Sequence, residues 1–209
     1  MIPKDGARGL FVVLDGIDGC GKSTQARRLV AALRAETGRV VHHLREPGST
    51  SLGEALRALL LSRAHRPGAT VETLLFAAAR AQMLEELVAP ALERGEHVVC
   101  ERFHPSTFAY QAVAGGLDEE RVLALLHGFA NDPRPDLVLL LDLSVAAASA
   151  RRGKTTDRIE DKGAAFQERV AAGYRRYAER VGGCVVLRAD RSEDDVARDV
   201  WAEVARALR

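Results

Sequence analysis

The sequence has few cysteines, no long apolar run and no excess of charge of one sign. Cys20, Cys100 and Cys184 are far apart, so they suggest neither a disulfide framework nor a zinc knuckle. No apolar run approaches the ~20 residues that span a bilayer, and the short charged N-terminus lacks the apolar segment of a signal peptide. We therefore expect a cytoplasmic protein with reduced thiols and no membrane partner.

The charge balance also limits the kinds of partner. Thirty Lys and Arg residues against 29 Asp and Glu residues give a formal net charge of +1 over 209 residues. Proteins that bind nucleic acid carry a basic face, so we expect no nucleic-acid partner. The length suits one compact domain, and the sequence shows no internal repeat and no linker of biased composition.

Five short apolar runs predict the strands of a buried sheet. They are Leu10–Leu14, Val40–Leu44, Val98–Cys100, Leu137–Leu141 and Cys184–Leu187. Four are nearly continuous, as in strands buried on both faces of a parallel sheet, whereas His42 and His43 interrupt the second. Apolar residues at helical spacing lie between the runs. This alternation predicts an α/β fold, in which helices sandwich a five-stranded parallel sheet within a single domain.

A glycine-rich segment directly after the first run has the pattern of a phosphate-binding loop. Residues 16–24 read GIDGCGKST, which matches G-x-x-x-x-G-K-S/T between a predicted strand and a predicted helix. Glycines let consecutive N–H groups turn towards an anion, and the following helix adds its positive N-terminal end. The residues that we expect around the phosphates of ATP are Gly16, Asp18, Gly19, Cys20, Gly21, Lys22, Ser23 and Thr24.

The phosphate loop by itself predicts only that a nucleoside triphosphate binds, because GTPases, ATPases, kinases and motor domains share it. The N-K-x-D motif with which GTPases usually read guanine is absent, and no water-positioning residue of a hydrolase can be recognised. A kinase needs a second pocket for its phosphate acceptor, and further segments suggest one.

Five further segments resemble motifs of the bacterial thymidylate kinases. They are REPGST at 45–50, LLFAAAR at 74–80, ERFHPSTFAYQ at 101–111, PDL at 135–137 and DRIE at 157–160. The first departs from the family pattern R-E-P-G-G-T only at Ser49, and the matches run from about Leu10 to Ala189 in the family's order. The resemblance implies a nucleoside monophosphate kinase fold, a homodimer, and Mg²⁺-dependent phosphoryl transfer from ATP to dTMP.

The resemblance also implies a thymine pocket. Phe76 and Arg80 share one face of a predicted helix, where a phenyl ring can stack on a base and a guanidinium can bond to a base carbonyl. Taken without the resemblance, Phe76 fits core packing equally well and Arg80 better fits a solvated helix face. The full set that the resemblance assigns to dTMP is Asp18, Arg45, Phe76, Arg80, Arg102, Ser106, Tyr110 and Gln111.

The same resemblance assigns finer roles within that set. Arg45 and Arg102 would hold the acceptor 5′-phosphate. Asp18 would contact the sugar 3′-hydroxyl, although an Asp in a turn needs no ligand. Tyr110 would exclude a ribose 2′-hydroxyl and so favour deoxynucleotides.

We expect Lys22, Arg102 and arginines of a lid at about 151–161 to neutralise the negative charge on the transferred phosphoryl group. Gly19 occupies the loop position where one subgroup of the family has arginine, so the chain resembles the subgroup with lid-borne arginines. We expect Arg152 and Arg158 to reach the phosphates, with Arg151 and Lys154 as solvated neighbours. The alternative is that all four are solvated charges on a loop.

Glu101 stands where the family usually has aspartate, and we expect it to hold Mg²⁺ together with Ser23. A water-mediated contact would absorb the extra methylene, because Mg²⁺ keeps several waters. Asp142 is the alternative metal acid, although a structural hydrogen bond suits it better. The segment Arg188-Ala189-Asp190, after the last predicted strand, is expected to contact the adenine, with Arg188 and Asp190 as the contacting side chains.

Two other functions remain open from the sequence. One is another small-molecule kinase on the same scaffold, such as a different nucleoside monophosphate kinase or a deoxynucleoside kinase. The other is a nucleotide-binding regulatory protein without catalysis, for which the replacement at Glu101 is the only argument.

Overall fold

The fold is built on a parallel sheet whose strands alternate with helices. The computed structural model describes residues 8–151, 159 and 162–209. The strands are β1 (Phe11–Asp15), β2 (Val41–Arg45), β3 (His97–Glu101), β4 (Leu137–Asp142) and β5 (Cys184–Arg188). All neighbours in the order β2-β3-β1-β4-β5 pair in parallel. The predicted five-stranded parallel sheet is confirmed.

Each strand continues to a charged residue that the apolar pattern left out. The residues that close the strands are Asp15, Arg45, Glu101, Asp142 and Arg188. Ladder hydrogen bonding depends on the backbone and not on side-chain polarity, so it runs past the last apolar residue. Because all five strands are parallel, these charges stand at one edge of the sheet, where open α/β proteins bind ligands.

The helices lie between the strands and after the last one. They are α1 (Lys22–Thr37), α2 (Ser51–Leu61), α3 (Ala69–Met83), α4 (Ala89–Glu93), α5 (His104–Thr107), α6 (Glu119–Phe129), α7 (Val145–Arg151), α8 (Ala164–Val181) and α9 (Glu193–Ala207). Wider π-helical turns at Leu84–Val88 and Phe108–Val113 follow α3 and α5. No helix in these described ranges is long and apolar enough to cross a membrane.

Successive residues of β1 belong to separate cores on the two faces of the sheet. Val12 clusters with Leu33 of α1, whereas Val13 clusters with Leu92 of α4. This is the period of two expected of a strand with both faces covered. The central strand is therefore fully buried, and its carboxyl end is fixed in position.

The buried carboxylate of Asp15 joins three separate segments at that end. Its oxygens accept hydrogen bonds from the backbone N–H groups of Gly16 (2.8 Å), Phe103 (3.0 Å) and Ser106 (3.0 Å). They also accept from Ser106 Oγ at 2.7 Å and from the Tyr174 hydroxyl of α8 at 2.9 Å. One side chain therefore holds the loop after β1, the segment after β3 and α8 together.

We predict that Asp15→Ala lowers the free energy of unfolding by about 3–5 kcal/mol, because several buried donors lose their acceptor at once. Urea denaturation of the purified variant measures this loss. Asp142→Ala is the matched control, since Asp142 closes the neighbouring strand but its side chain is 38% exposed and, among the described residues, pairs only with Arg175 at 3.3 Å. Such exposed pairs contribute about 0–1 kcal/mol. Equal losses in the two variants would contradict the role of Asp15.

Candidate active site

The segments that follow β1, β2, β3 and β5 line one cavity of about 910 Å³. The wall includes residues 18–25 of the glycine-rich loop and α1, together with Arg45 and Arg102 at the ends of two strands. Phe76 and Arg80 of α3 complete one side. A cavity of this size has room for a ligand as large as a nucleotide.

The glycine-rich loop has the backbone that its sequence predicts. Gly16 and Gly21 have φ values of 140° and 98°, in the region that side chains disfavour. A Cβ atom on Gly16 would lie 2.6 Å from the Leu141 carbonyl oxygen. All the loop residues predicted to bind phosphate line the cavity except Gly16, which lies beneath the loop against β4. The role of Gly16 is therefore to let the loop turn.

Lys22 is the first residue of α1 and is buried by its own loop. Its Nζ donates to the carbonyl oxygens of Gly16 (2.8 Å) and Ile17 (2.9 Å). The same atom lies 3.7 Å from Asp18 Oδ1. These contacts hold a positive charge in the loop, at the N-terminal end of a 16-residue helix.

Asp18 connects the glycine-rich loop to the opposite wall of the cavity. The Arg102 guanidinium donates to Asp18 Oδ1, and the Tyr110 hydroxyl donates to Asp18 Oδ2 at 3.0 Å. Arg102 also donates to Ser106 Oγ at 3.1 Å, and its guanidinium carbon lies 5.5 Å from the centre of the Tyr110 ring. The predicted residues Asp18, Arg102, Ser106 and Tyr110 are thus brought into one network.

This network sets the protonation of two of its members. Burial by itself would raise the pKa of the Asp18 carboxyl, but Arg102, Lys22 and the hydrogen bond from Tyr110 hold that pKa well below its ordinary value. Burial raises the pKa of the Tyr110 hydroxyl. At neutral pH, Asp18 is therefore an acceptor and Tyr110 a donor.

Arg80 is held rigidly in the cavity wall. It is only 1% exposed, and its Nε donates to both oxygens of Glu46, at 3.0 and 2.7 Å. Its Nη2 donates to Thr107 Oγ1 at 3.1 Å. Its Nη1 is buried and has no hydrogen-bond partner among the described residues. A buried unpaired donor is costly, which favours a ligand acceptor at this point.

The sequence left two alternatives for the α3 residues, which were core packing for Phe76 and a solvated helix face for Arg80. A solvated helix face is wrong for Arg80, because the side chain is buried. Phe76 both lines the cavity and packs against the main core, so a contact with a base and core packing are compatible.

Glu46 is a site residue that the sequence analysis missed. It is buried and lines the cavity, and burial raises the pKa of its carboxyl to about 7 against the opposing effect of Arg80. The signal available was its place beside Arg45 in the REPGST segment. A distant partner on another helix could not be inferred from that alone.

The hydrogen bonds of Ser49 show how a serine can replace the glycine of the family pattern. Its φ is 71°, a conformation in which glycine is favoured. The Ser49 hydroxyl accepts from the Arg45 backbone N–H at 2.9 Å and donates to the Arg45 carbonyl at 3.1 Å. These two hydrogen bonds stabilise the turn that places Arg45 at the cavity.

Ser23 and Glu101 place two oxygen atoms that could bind a metal side by side in the cavity wall. Ser23 Oγ donates to Glu101 Oε2 at 2.5 Å, and His43 Nε2 lies 2.8 Å from Glu101 Oε1. One hydroxyl and one carboxylate fit Mg²⁺, which prefers oxygen ligands and retains waters. Asp142 instead pairs with Arg175 and does not line this cavity.

The segment after β5, which was expected to contact adenine, only partly lines the cavity. Arg188 and Asp190 are exposed, pair with each other at 2.8 Å and do not line the cavity. Ala189 and Arg191 do line it. β5 ends at Arg188, and beyond it Ala189 and Arg191 reach the cavity while Asp190 turns back to pair with Arg188.

The lid residues Arg152, Lys154 and Arg158 lie outside the described residues. Arg151 and Ile159, at either end of that segment, line the cavity. Arg151, expected to be a solvated neighbour, is exposed, and its Nη1 donates to the Ala189 carbonyl at 3.0 Å.

A phosphate loop on a parallel sheet, with a second polar pocket opposite it, defines a P-loop kinase of the nucleoside monophosphate kinase class. Comparison with known families narrows this class. The family model described as "Thymidylate kinase" matches residues 14–200, and the chain belongs to the thymidylate kinase family.

Individual relatives agree over most of the chain. The chain is 46% identical over 208 residues to a thymidylate kinase of Synechococcus sp. (strain CC9605), covering 96% of this chain and 97% of that protein. It is 49% identical over 172 residues to one of Gluconobacter oxydans (strain 621H), covering 80% of each. It is 41% identical over 196 residues to one of Neisseria gonorrhoeae (strain ATCC 700825 / FA 1090), covering 91% of this chain and 93% of that protein.

We predict that Glu101→Gln raises the Mg²⁺ concentration needed for half-maximal activity by about tenfold or more, because an amide is a weaker metal ligand than a carboxylate. Titration of activity with Mg²⁺ at fixed ATP measures the shift. Glu96→Gln is the control, since Glu96 contacts a β2 histidine in the same way, His42 at 2.7 Å, but outside the cavity. An unchanged Mg²⁺ requirement in Glu101→Gln would exclude a metal role for this carboxylate.

Proposed function

We propose that the protein transfers the γ-phosphoryl group of ATP to dTMP, giving ADP and dTDP. The observation that carries this proposal is Arg80, which lines the same cavity as the phosphate loop and whose buried Nη1 has no hydrogen-bond partner among the described residues. Membership of the thymidylate kinase family supports the same acceptor.

The base of the acceptor would lie against α3. Arg80 would donate from Nη1 to a thymine carbonyl, while Glu46 and Thr107 hold the rest of the guanidinium in place. Phe76, four residues earlier on the helix, would stack on the ring. A rigid arginine suits this role because little side-chain freedom is lost on binding.

The sugar and phosphate of dTMP would bridge from this pocket to the phosphate loop. Arg45 and Arg102 line the cavity and would hold the 5′-phosphate through paired N–H groups. Ionised Asp18 would accept from the 3′-hydroxyl, and Tyr110, which donates to Asp18, would lie against C2′. The same Asp18 contacts both the loop of the donor site and Arg102 of the acceptor site.

Transfer itself would depend on position and charge. The loop N–H groups and Lys22 would hold the β- and γ-phosphates of ATP, and Arg102 would orient the acceptor oxygen for in-line attack. Ser23 and Glu101 would hold Mg²⁺, which when bound supplies neutralisation of phosphate charge. We assign Arg152 and Arg158 of the lid to the transferred group.

The remaining expectations stay proposals that the sequence supports. They are a single domain with a lid at about 151–161, a cytoplasmic location, and no nucleic-acid or membrane partner. For adenine, the cavity favours the neighbours Ala189 and Arg191 over Arg188 and Asp190.

We expect ADP release in the presence of ATP and Mg²⁺ to be at least about tenfold faster with dTMP than with dCMP, dGMP or AMP. Tenfold corresponds to roughly 1.4 kcal/mol of transition-state binding. A coupled assay with each monophosphate, including dUMP, measures the order. An equal rate with a monophosphate of another base would leave the kinase activity in place but refute the thymine pocket. No ADP release with any acceptor would favour a nucleotide-binding protein without catalysis.

We also propose a homodimer, formed through the exposed apolar residues of α2 and α3. These residues are Leu52, Leu59, Val71 and Leu74. Burying them against a second copy would remove apolar surface from water.

Light scattering after size exclusion should give twice the mass of one chain. Leu74→Glu should give a monomer, whereas Val186→Glu, at an exposed position on β5, should leave the dimer intact. A monomeric wild-type protein would overturn the proposal.

A further inference from the structure

A buried carboxylate holds the amide of Gln111 in the wall of the cavity. Gln111 Nε2 donates to Glu72 Oε2 at 3.1 Å, and both residues are 2% exposed. Among the described residues, this is the only hydrogen bond that the side-chain amide makes. Gln111 also lines the cavity, so its carbonyl oxygen Oε1 is the atom left for a ligand.

The position of Glu72 connects it to the base pocket. It lies on α3, four residues before Phe76 and eight before Arg80, so the three side chains share one face of the helix. Glu72 does not line the cavity itself. Its effect on a ligand would therefore pass through Gln111.

The orientation of the Gln111 amide follows from the charge on Glu72. Lys162 Nζ lies 3.6 Å from Glu72 Oε1, on the other side of the carboxylate from Gln111. One carboxylate oxygen accepts from Gln111 and the other faces the lysine, and an ionised carboxylate accepts hydrogen bonds and donates none. Gln111 must then turn its NH₂ group towards Glu72 and its Oε1 away from it.

The pocket therefore offers two different atoms to the edge of a base. Within the part of the chain that the structure describes, Arg80 Nη1 is a donor without a partner, and Gln111 Oε1 is an acceptor. Thymine and uracil carry an acceptor, O4, next to a donor, N3–H, which matches this pair. Cytosine carries a donor, the 4-amino group, next to an acceptor, N3, which reverses it.

We propose that Glu72 is a specificity-determining residue that sets the pocket for 4-oxo pyrimidines and against cytosine, by fixing the orientation of the Gln111 amide. The proposal rests on the proposed function, because it assumes that a pyrimidine monophosphate is the acceptor. Glu72 acts as a positioning residue, since it reaches the base only through Gln111.

The isosteric variant Glu72→Gln tests this directly. A glutamine at this position can either accept from the Gln111 NH₂ group or donate to its Oε1, so both amide orientations become possible. We expect the ratio of kcat/KM for dTMP to that for dCMP to fall by about tenfold. The KM for ATP should stay the same, because the phosphate loop is untouched.

The matched control is Glu86→Gln. Glu86 accepts from Gln82 Nε2 at 2.9 Å in the same kind of pair, but at an exposed position outside the cavity. We expect the wild-type ratio in this variant. A general loss of stability in Glu72→Gln would lower kcat/KM for dTMP and for dCMP by the same factor. It would therefore leave their ratio unchanged.

Gln111→Leu gives a second, independent test. It removes the acceptor that Glu72 positions, so it should lower the ratio by itself, and adding Glu72→Gln should change the ratio no further. Dissociation constants for dTMP and dCMP, measured by calorimetry, should follow the same pattern without any turnover.

The outcomes separate this inference from the proposed function. A wild-type protein with no preference for dTMP over dCMP would overturn both. A wild-type preference that survives Glu72→Gln within twofold would overturn the role of Glu72 alone. A lower ratio in Glu72→Gln with an unchanged ratio in Glu86→Gln would support it.

Discussion

The site depends on one buried carboxylate at the end of the central strand. Asp15 accepts hydrogen bonds from the start of the phosphate loop, from two backbone N–H groups after β3 and from Tyr174 of α8. These segments are far apart in the chain, and each would otherwise leave a buried donor unpaired. Asp15 therefore ties the start of the phosphate loop to the segment after β3 and to α8.

The same hydrogen bonds stabilise an unusual backbone conformation at Arg102. Arg102 has a φ of 70°, which is strained for a side chain as large as arginine. The hydrogen bonds of Phe103 and Ser106 to Asp15 lie immediately after it and hold the backbone in this conformation. The strained backbone brings the guanidinium to Asp18, so one residue touches both halves of the site. Positioning of this kind is what phosphoryl transfer asks of a protein.

Local patterns predicted the sheet, the glycine-rich loop and the shared face of Phe76 and Arg80, because each depends on neighbours in sequence. The residues that hold them could not be predicted in this way. Glu46 with Arg80, Glu72 with Gln111 and Asp15 with Ser106 are separated by 34, 39 and 91 positions. Their pairing depends on how the helices pack on the sheet. Arg188 and Asp190 pair with each other outside the cavity, an arrangement that the apolar pattern of β5 does not indicate.

The proposed mode of binding places a pyrimidine base against Arg80 and its phosphate towards the loop. A crystal structure with dTMP bound tests this most directly. We expect a base carbonyl about 3 Å from Arg80 Nη1, the Phe76 ring stacked on the base, and the 5′-phosphate between Arg45 and Arg102. A base bound instead at the Ala189 end of the cavity, with Arg80 Nη1 still unpaired, would contradict it.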